Sequence, residues 1–178
     1  MVKMTKMGFD SRLIARKAAE EGTCAHYLAQ CSIMSETPDL GSYPPEIVKV
    51  AKPSHKQFLK WLKNNDVITL GSELQMVSEK HRFGGTIDVL AIVNGELAVV
   101  DIKRTAAIYV SHRIQLAGYI NMVAEVLNVP VPVAYIVRLN KSGTGYEARH
   151  YDNLTMEWQA FLICRSIHEL IPQLRARE

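Results

Sequence analysis

The sequence predicts an α/β domain with one mixed sheet, an antiparallel hairpin at its core and helices on either side. Three observations predict it. Asn94-Gly95 joins two β-rich runs, Thr86 to Val93 and Glu96 to Lys103, and Asn-Gly suits a two-residue turn in which both residues take positive φ. Both runs are apolar on both faces: Ile87, Val89, Ala91 and Val93 alternate with Leu90 and Ile92, and Leu97 and Val99 with Ala98, Val100 and Ile102. Strands of that kind are central and buried. Helical spacing of apolar residues precedes and follows them.

In chain order, Asp10 or Ser11 caps a helix through about residue 31, broken or bent near Gly22. Pro38, Gly41, Pro44 and Pro45 make 35–45 a loop. Pro44 and Pro45 open a short helix over 46–51, and Pro53 opens a second, with Phe58, Leu59, Trp61 and Leu62 as its apolar stripe. Residues 66–78 form a strand with a bulge at Gly71, and Lys80-His81-Arg82 a polar turn before the hairpin, 85–103. Leu116, Ile120, Val123 and Leu127 share one face of a helix over 112–127. Pro130 and Pro132 flank a strand at 132–139, residues 141–145 turn the chain into a strand at 146–151, and an amphipathic helix spans about 154–171.

With 178 residues, 48% of them hydrophobic, the chain is expected to form a single domain over 1–178 with a sizeable core. Cys24, Cys31 and Cys164 lack metal-ligand spacing and read as thiols in a reducing compartment. No apolar run is long enough to span a membrane. Lys3, Lys6, Arg12, Arg16 and Lys17 are followed by Glu20 and Glu21, unlike a transit peptide, so a cytoplasmic location is expected. A formal charge of +3 permits a polyanionic partner.

The hairpin register carries the chemistry. If Asn94-Gly95 is the whole loop, Val93 pairs with Glu96 and Asp88 falls opposite Asp101, with Cβ atoms roughly 4.5–5.5 Å apart on one face. Lys103 shares that face. Like charges so placed destabilise a sheet unless offset, and a hard divalent cation bound between the carboxylates offsets them. Charges on a strand are usually its solvated side, but two acids and a lysine within a buried hairpin are costly without a purpose.

The motifs around the hairpin are Ser72-Glu73-Leu74, Gly84-Gly85-Thr86-Ile87-Asp88, Val100-Asp101-Ile102-Lys103 and Gln115-Leu116-Ala117-Gly118-Tyr119, with Gly22-Thr23-Cys24-Ala25-His26 upstream. Together, over about residues 22–138, they resemble the PD-(D/E)xK nuclease superfamily and, within it, the RecB-like branch. The resemblance implies a restriction-endonuclease-like fold and phosphodiester hydrolysis with one or two Mg²⁺ or Mn²⁺ ions. Asp88 and Asp101 would ligate metal, joined by the Ile102 main-chain carbonyl. Lys103 would orient the attacking water or stabilise charge on the phosphate, unless it is only a salt-bridge partner of the acids. Glu73 resembles the acid of the family's first strand, with Glu79 as the competing candidate. His26 is either a metal ligand or a satisfied helical histidine. Gln115 and Tyr119, one turn apart, either support the site or touch the nucleic-acid strand. Arg104 stands where Thr or Ser is commoner and, with His112 and Arg113, is a candidate phosphate contact. Lys49, Lys52, Lys56, Lys60 and Lys63 form a longer basic stretch, of a kind that is usually a solvated helix face.

The reading that follows is a metal-dependent deoxyribonuclease, an exonuclease on DNA ends in recombination or repair. Its partners are single-stranded or end-containing duplex DNA and a recombination protein. The alternatives are a structure-selective endonuclease of junction-resolvase type and a non-catalytic DNA-binding scaffold.

Overall fold

The structure, a computed structural model, describes residues 11–177. It is α/β. The elements are α1 (Ser11–Ile33), α2 (Pro45–Asn64), β1 (Val67–Ser78), β2 (Phe83–Val93), β3 (Glu96–Lys103), α3 (Val110–Leu127), β4 (Val133–Leu139), β5 (Tyr146–Tyr151) and α4 (Thr155–Arg175). The five strands lie in the order β1-β2-β3-β4-β5, all antiparallel except the β3–β4 pair, which α3 connects. A parallel pair needs such a crossover, because no tight turn can return the chain to the same end of the sheet.

The Asn94-Gly95 turn forms as its residue types dictate, with φ of 52° and 90°, and it sets Val93 opposite Glu96. The register then runs without a slip to Val89–Val100. Val89, Ala91, Ala98, Val100 and Ile102 pack under Phe58 and Trp61 of α2 and Ala29 of α1. Leu90, Val99, Ala134 and Ile136 pack under Leu116, Met122 and Val123 of α3. The sheet is therefore a middle layer between α1–α2 and α3–α4, which is why both hairpin strands are apolar on both faces. Ile87 departs from the expected alternation and packs in the α3 cluster with Leu90, because the regular ladder ends at Val89.

Several expectations are corrected. The two short helices around Pro53 are one helix, α2, with Pro53 inside it. Proline removes one hydrogen bond and crowds the preceding turn. Against that, Ile47, Ala51, Ser54, Phe58 and Trp61 form one buried stripe that continues through the proline, and its burial keeps both halves in one continuous helix. Similarly, α1 runs unbroken through Gly22, where Cys24, Ala25 and Leu28 are packed against Ile47 and Ala51 of α2. Asp10, Lys3 and Lys6 lie outside the described residues. Leu127 is exposed, and Ala117, Gly118 and Met122 join Leu116 and Val123 as the buried face of α3. The bulge in β1 is present: Thr69 pairs with Ala91 and Gly71 with Leu90, leaving Leu70 as the extra residue. Cys24 and Cys31 are buried and Cys164 exposed, all free. No described helix is long and apolar enough to cross a membrane.

The α3–α4 contact depends on Gly118. A Cβ there would lie 2.6 Å from Phe161 Cε2 and 2.9 Å from two further atoms of that ring. Phe161 itself sits 4.6 Å from Phe83 and 5.5 Å from Trp158, centroid to centroid, so the ring has little freedom to retreat. Gly118→Ala should therefore lower stability by about 1–3 kcal/mol, the range for overpacking a core. Urea denaturation checks this, and an unchanged midpoint would show that α4 moves away freely.

Candidate metal centre

Four elements meet where the β2–β3 ladder ends. At Asp88 the backbone pairing stops, and the side chain takes over: Asp88 Oδ2 accepts the Ile102 N–H at 2.6 Å. The expectation of a ladder pair Asp88–Asp101 is thus corrected by one step, since the paired register finishes at Val89–Val100. The main chain of Asp88 is held from the other side, where Ser72 Oγ donates to its carbonyl at 2.9 Å. Ser72 stood within a quoted motif, yet no spacing rule pointed to this role.

Glu73 reaches the site by an unusual backbone. Ser72 pairs with Val89 and Leu74 with Ile87, so Glu73 lies across from Asp88 but has φ of 52°. The left-handed region costs a non-glycine residue on the order of 1–3 kcal/mol, and such strain concentrates at functional sites. From there, Glu73 Oε1 is 3.7 Å from His26 Nδ1, and Asp88 Oδ1 is 3.5 Å from the same nitrogen. Ligand atoms of His26, Glu73 and Asp88 all lie within 4.8 Å of one another, a grouping able to hold a metal ion. Glu79, the competing acid, is exposed in the turn after β1.

Asp101 is 1% exposed. Its Oδ1 accepts from Lys103 Nζ at 2.8 Å, while Oδ2 is buried with no hydrogen-bond partner. Burial, reinforced by the negative charge of Asp88 and opposed by Lys103, raises its pKa from 3.8 to about 7. His26 shows the complementary response. Burial disfavours its charged form, but Asp88 and Glu73 outweigh that and raise it from 6.5 to about 10. A protonated His26 thus supplies positive charge between two carboxylates, where a cation would do the same.

Gln115 and Tyr119 meet as their spacing suggests, with Gln115 Nε2 donating to the Tyr119 hydroxyl at 2.7 Å. Burial first, then Asp101 and Asp88, raises Tyr119 to about 12, so it stays protonated and keeps its own hydrogen to donate. Gly85 makes this packing possible, since a Cβ there would lie 2.8 Å from Tyr119 Cε1. Ile102 is bound to the site through its N–H.

Each of the three flanking basic residues has a partner within the protein. Arg104 is buried; its Nη1 pairs with Glu21 of α1 at 2.6 Å and its Nε donates to Ser54 of α2 at 3.1 Å. It braces both helices against the end of β3. Neither Glu21 nor Ser54 was legible as its partner, lying 83 and 50 positions away. Arg113 pairs with Glu157 of α4 at 3.4 Å. His112 Nδ1 accepts the Tyr109 N–H at 3.2 Å at the start of α3, and burial followed by the charge of Lys103 lowers its pKa.

No family model matches this chain, and no curated protein does. Among solved structures, one described as "Crystal structure of SSO0001" is similar at 14% identity and a TM-score of 0.44, over 93% of this chain and 88% of its own. A likeness that slight carries no functional argument.

Two outcomes follow from this geometry. Arg104→Ala should cost about 3 kcal/mol of stability, because it strands Glu21 in a largely buried position; a loss of DNA affinity with unchanged stability would contradict the bracing role. In metal-free protein, Asp101 retains a proton up to about pH 7 that the unfolded chain releases near 3.8. The folded state therefore binds more protons across that window, and stability from this group falls as pH rises through it. Asp101→Asn should gain stability relative to wild type between about pH 4 and pH 7, with no further gain above. Thermal melts in a chelator across that range check the sign.

Proposed function

We propose that this chain is a divalent-metal-dependent deoxyribonuclease, a cytoplasmic exonuclease that acts on DNA ends in recombination or repair. One observation carries the reading: Asp101 Oδ2 is sealed from water without a donor, within reach of the charges of Asp88 and His26, and those two residues form with Glu73 a grouping able to hold a metal ion. An unsatisfied buried acceptor costs on the order of 1–3 kcal/mol, more when charged. Filling that deficit is what a hard cation does, and the oxygen-rich donor set suits Mg²⁺ or Mn²⁺. Asp88 and Asp101 would hold it, with Glu73, His26 and the Ile102 carbonyl as further donors. Their arrangement fits the motif order that resembles the RecB-like nucleases.

When bound, such an ion polarises a phosphoryl oxygen and lowers the pKa of a water. The chain's own groups supply the remainder. Lys103, anchored by Asp101, keeps a positive charge at the site and can donate to a phosphate oxygen or hold a water for attack. The protonated Tyr119 hydroxyl, fixed by Gln115, offers a second donor to a phosphate or sugar oxygen. Burial of these groups strengthens each interaction, since little water screens them.

Asp88→Ala and Asp101→Ala should each abolish hydrolysis while the fold persists. Lys103→Ala should keep metal affinity and lose at least ~10²-fold in rate, as expected for one preorganised electrostatic group. His26→Ala should weaken metal binding in a calorimetric titration. The deciding assay digests end-labelled linear DNA and covalently closed circles with Mg²⁺ or Mn²⁺. Progressive shortening of linear DNA with circles intact supports the exonuclease. Equal cutting of circles points to the structure-selective endonuclease, and DNA binding without cleavage to the scaffold.

A further inference from the structure

The positive charge of this protein is concentrated on one helix. α2 carries five lysines and one glutamate, a formal +4, whereas the whole chain is +3. The rest of the molecule therefore sums to −1. Lys49, Lys52, Lys56, Lys60 and Lys63 follow one another at intervals of three or four residues, which confines them to roughly 80° of the helix circumference over about 21 Å. All five are exposed. None forms an ion pair or hydrogen bond with another described residue.

An ordinary solvated helix face mixes signs, with acids placed to pair with lysines one turn away. Here the only acid of the helix is Glu46, in its first turn, and five like charges repel along the whole length. That repulsion is relieved when a polyanion lies along the row. The opposite face is what keeps α2 in place regardless of this repulsion, for Phe58 and Trp61 are buried against the sheet.

We propose that the outer face of α2 is a binding surface for the phosphate backbone of duplex DNA, engaged without regard to sequence. Charge complementarity identifies the backbone. The aromatic groups nearby favour the duplex: surfaces for single strands combine charge with aromatic platforms for bases, whereas both aromatic side chains of α2 point into the core and Tyr43, beside the row, is already stacked on Tyr27 at 5.9 Å. A row of charges fixed on one folded helix also suits a stiff partner. Two open depressions that share Pro53 and Lys56 flank the row, one reaching Tyr43 and Val48, the other the turn at Gly143 and Thr144. Lys49, Lys52, Lys56 and Lys60 line these depressions and remain open to a partner.

The helix that carries the row is tied to the strand that carries Asp101 and Lys103. Ser54, on the buried side of α2 near its middle, holds Arg104, the residue after Lys103. The row itself lies on the side of α2 away from that contact, open to solvent. The proposal relies on the nuclease reading only for the identity of the polyanion.

The test measures binding of end-labelled duplex of about 30 base pairs, in a chelator, by fluorescence anisotropy between about 50 and 200 mM KCl. A variant with all five lysines changed to glutamine is compared with one in which all five become arginine. Glutamine should weaken duplex binding at least tenfold and flatten the salt dependence by about 4–5 in log–log slope, since each neutralised phosphate contributes about 0.9. Arginine should preserve both, and circular dichroism should show both variants folded, because the exchanged side chains are exposed and make no ion pair or hydrogen bond with the described residues. Single-stranded DNA of the same length should lose less than the duplex. Failure of wild type to bind duplex, or an unaltered slope in the glutamine variant, overturns the proposal, as does equal loss for the single strand. The two readings fail separately. Duplex binding through the row with no hydrolysis in either metal sinks the nuclease alone, and hydrolysis with an unaltered slope sinks the row alone.

Discussion

Everything at the candidate metal centre depends on how Asp88 ends the β2–β3 ladder. One of its oxygens accepts the Ile102 N–H at 2.6 Å, and the other faces His26 at 3.5 Å. The first contact replaces a backbone bond where the strands begin to part, so the end of the hairpin is not left with an orphaned donor. The second draws α1 to the sheet. Because one carboxylate does both, the opening between β2 and β3 is set by a side chain that is itself part of the site. Ser72 fixes the main chain of Asp88 from β1, and the position cannot drift without breaking contacts on both neighbouring strands.

The electrostatics follow from that placement. Asp88 lies near both the buried Asp101 and the half-buried Glu73, and full negative charges so close would repel. The protein without metal answers in two ways: Asp101 holds a proton up to about pH 7, and His26 holds one up to about pH 10. Lys103 offsets the remainder at 2.8 Å from Asp101. Each answer is incomplete, since Asp101 Oδ2 still lacks a donor. A site that satisfies its charges only in part is suited to exchange protons for a cation.

The surrounding helices are braced by chemistry of a different type. Arg104 joins β3 to Glu21 of α1 and Ser54 of α2 in one guanidinium, and its planar set of donors suits two partners at once. This brace explains why a basic residue directly after Lys103 is buried rather than turned to solvent. It also couples the position of α1, and so of His26, to α2 and its row of lysines.

Much of this was legible in the chain. Asn94-Gly95 determined the hairpin, its register and therefore the common end of β2 and β3 at which Asp88, Asp101 and Lys103 gather, because a two-residue turn leaves the pairing no freedom. The spacing of Gln115 and Tyr119 determined their hydrogen bond in the same local way. Where the outcome depended on burial against distant elements, local signals misled. Pro53 and Gly22 suggested breaks in helices that the α1–α2 contact and the sheet carry straight through, since the apolar area buried along a whole helix outweighs one lost hydrogen bond or one flexible residue. Arg104 looked like a surface contact because its partners lie 50 and 83 residues away, and Leu127 looked like core because periodicity is blind to where a helix outlasts the sheet beneath it. The sequence alone determined which residues could form strands and turns. Only the tertiary structure decided which charges were shut away from water, because desolvation is a property of the packed surroundings and not of the residue.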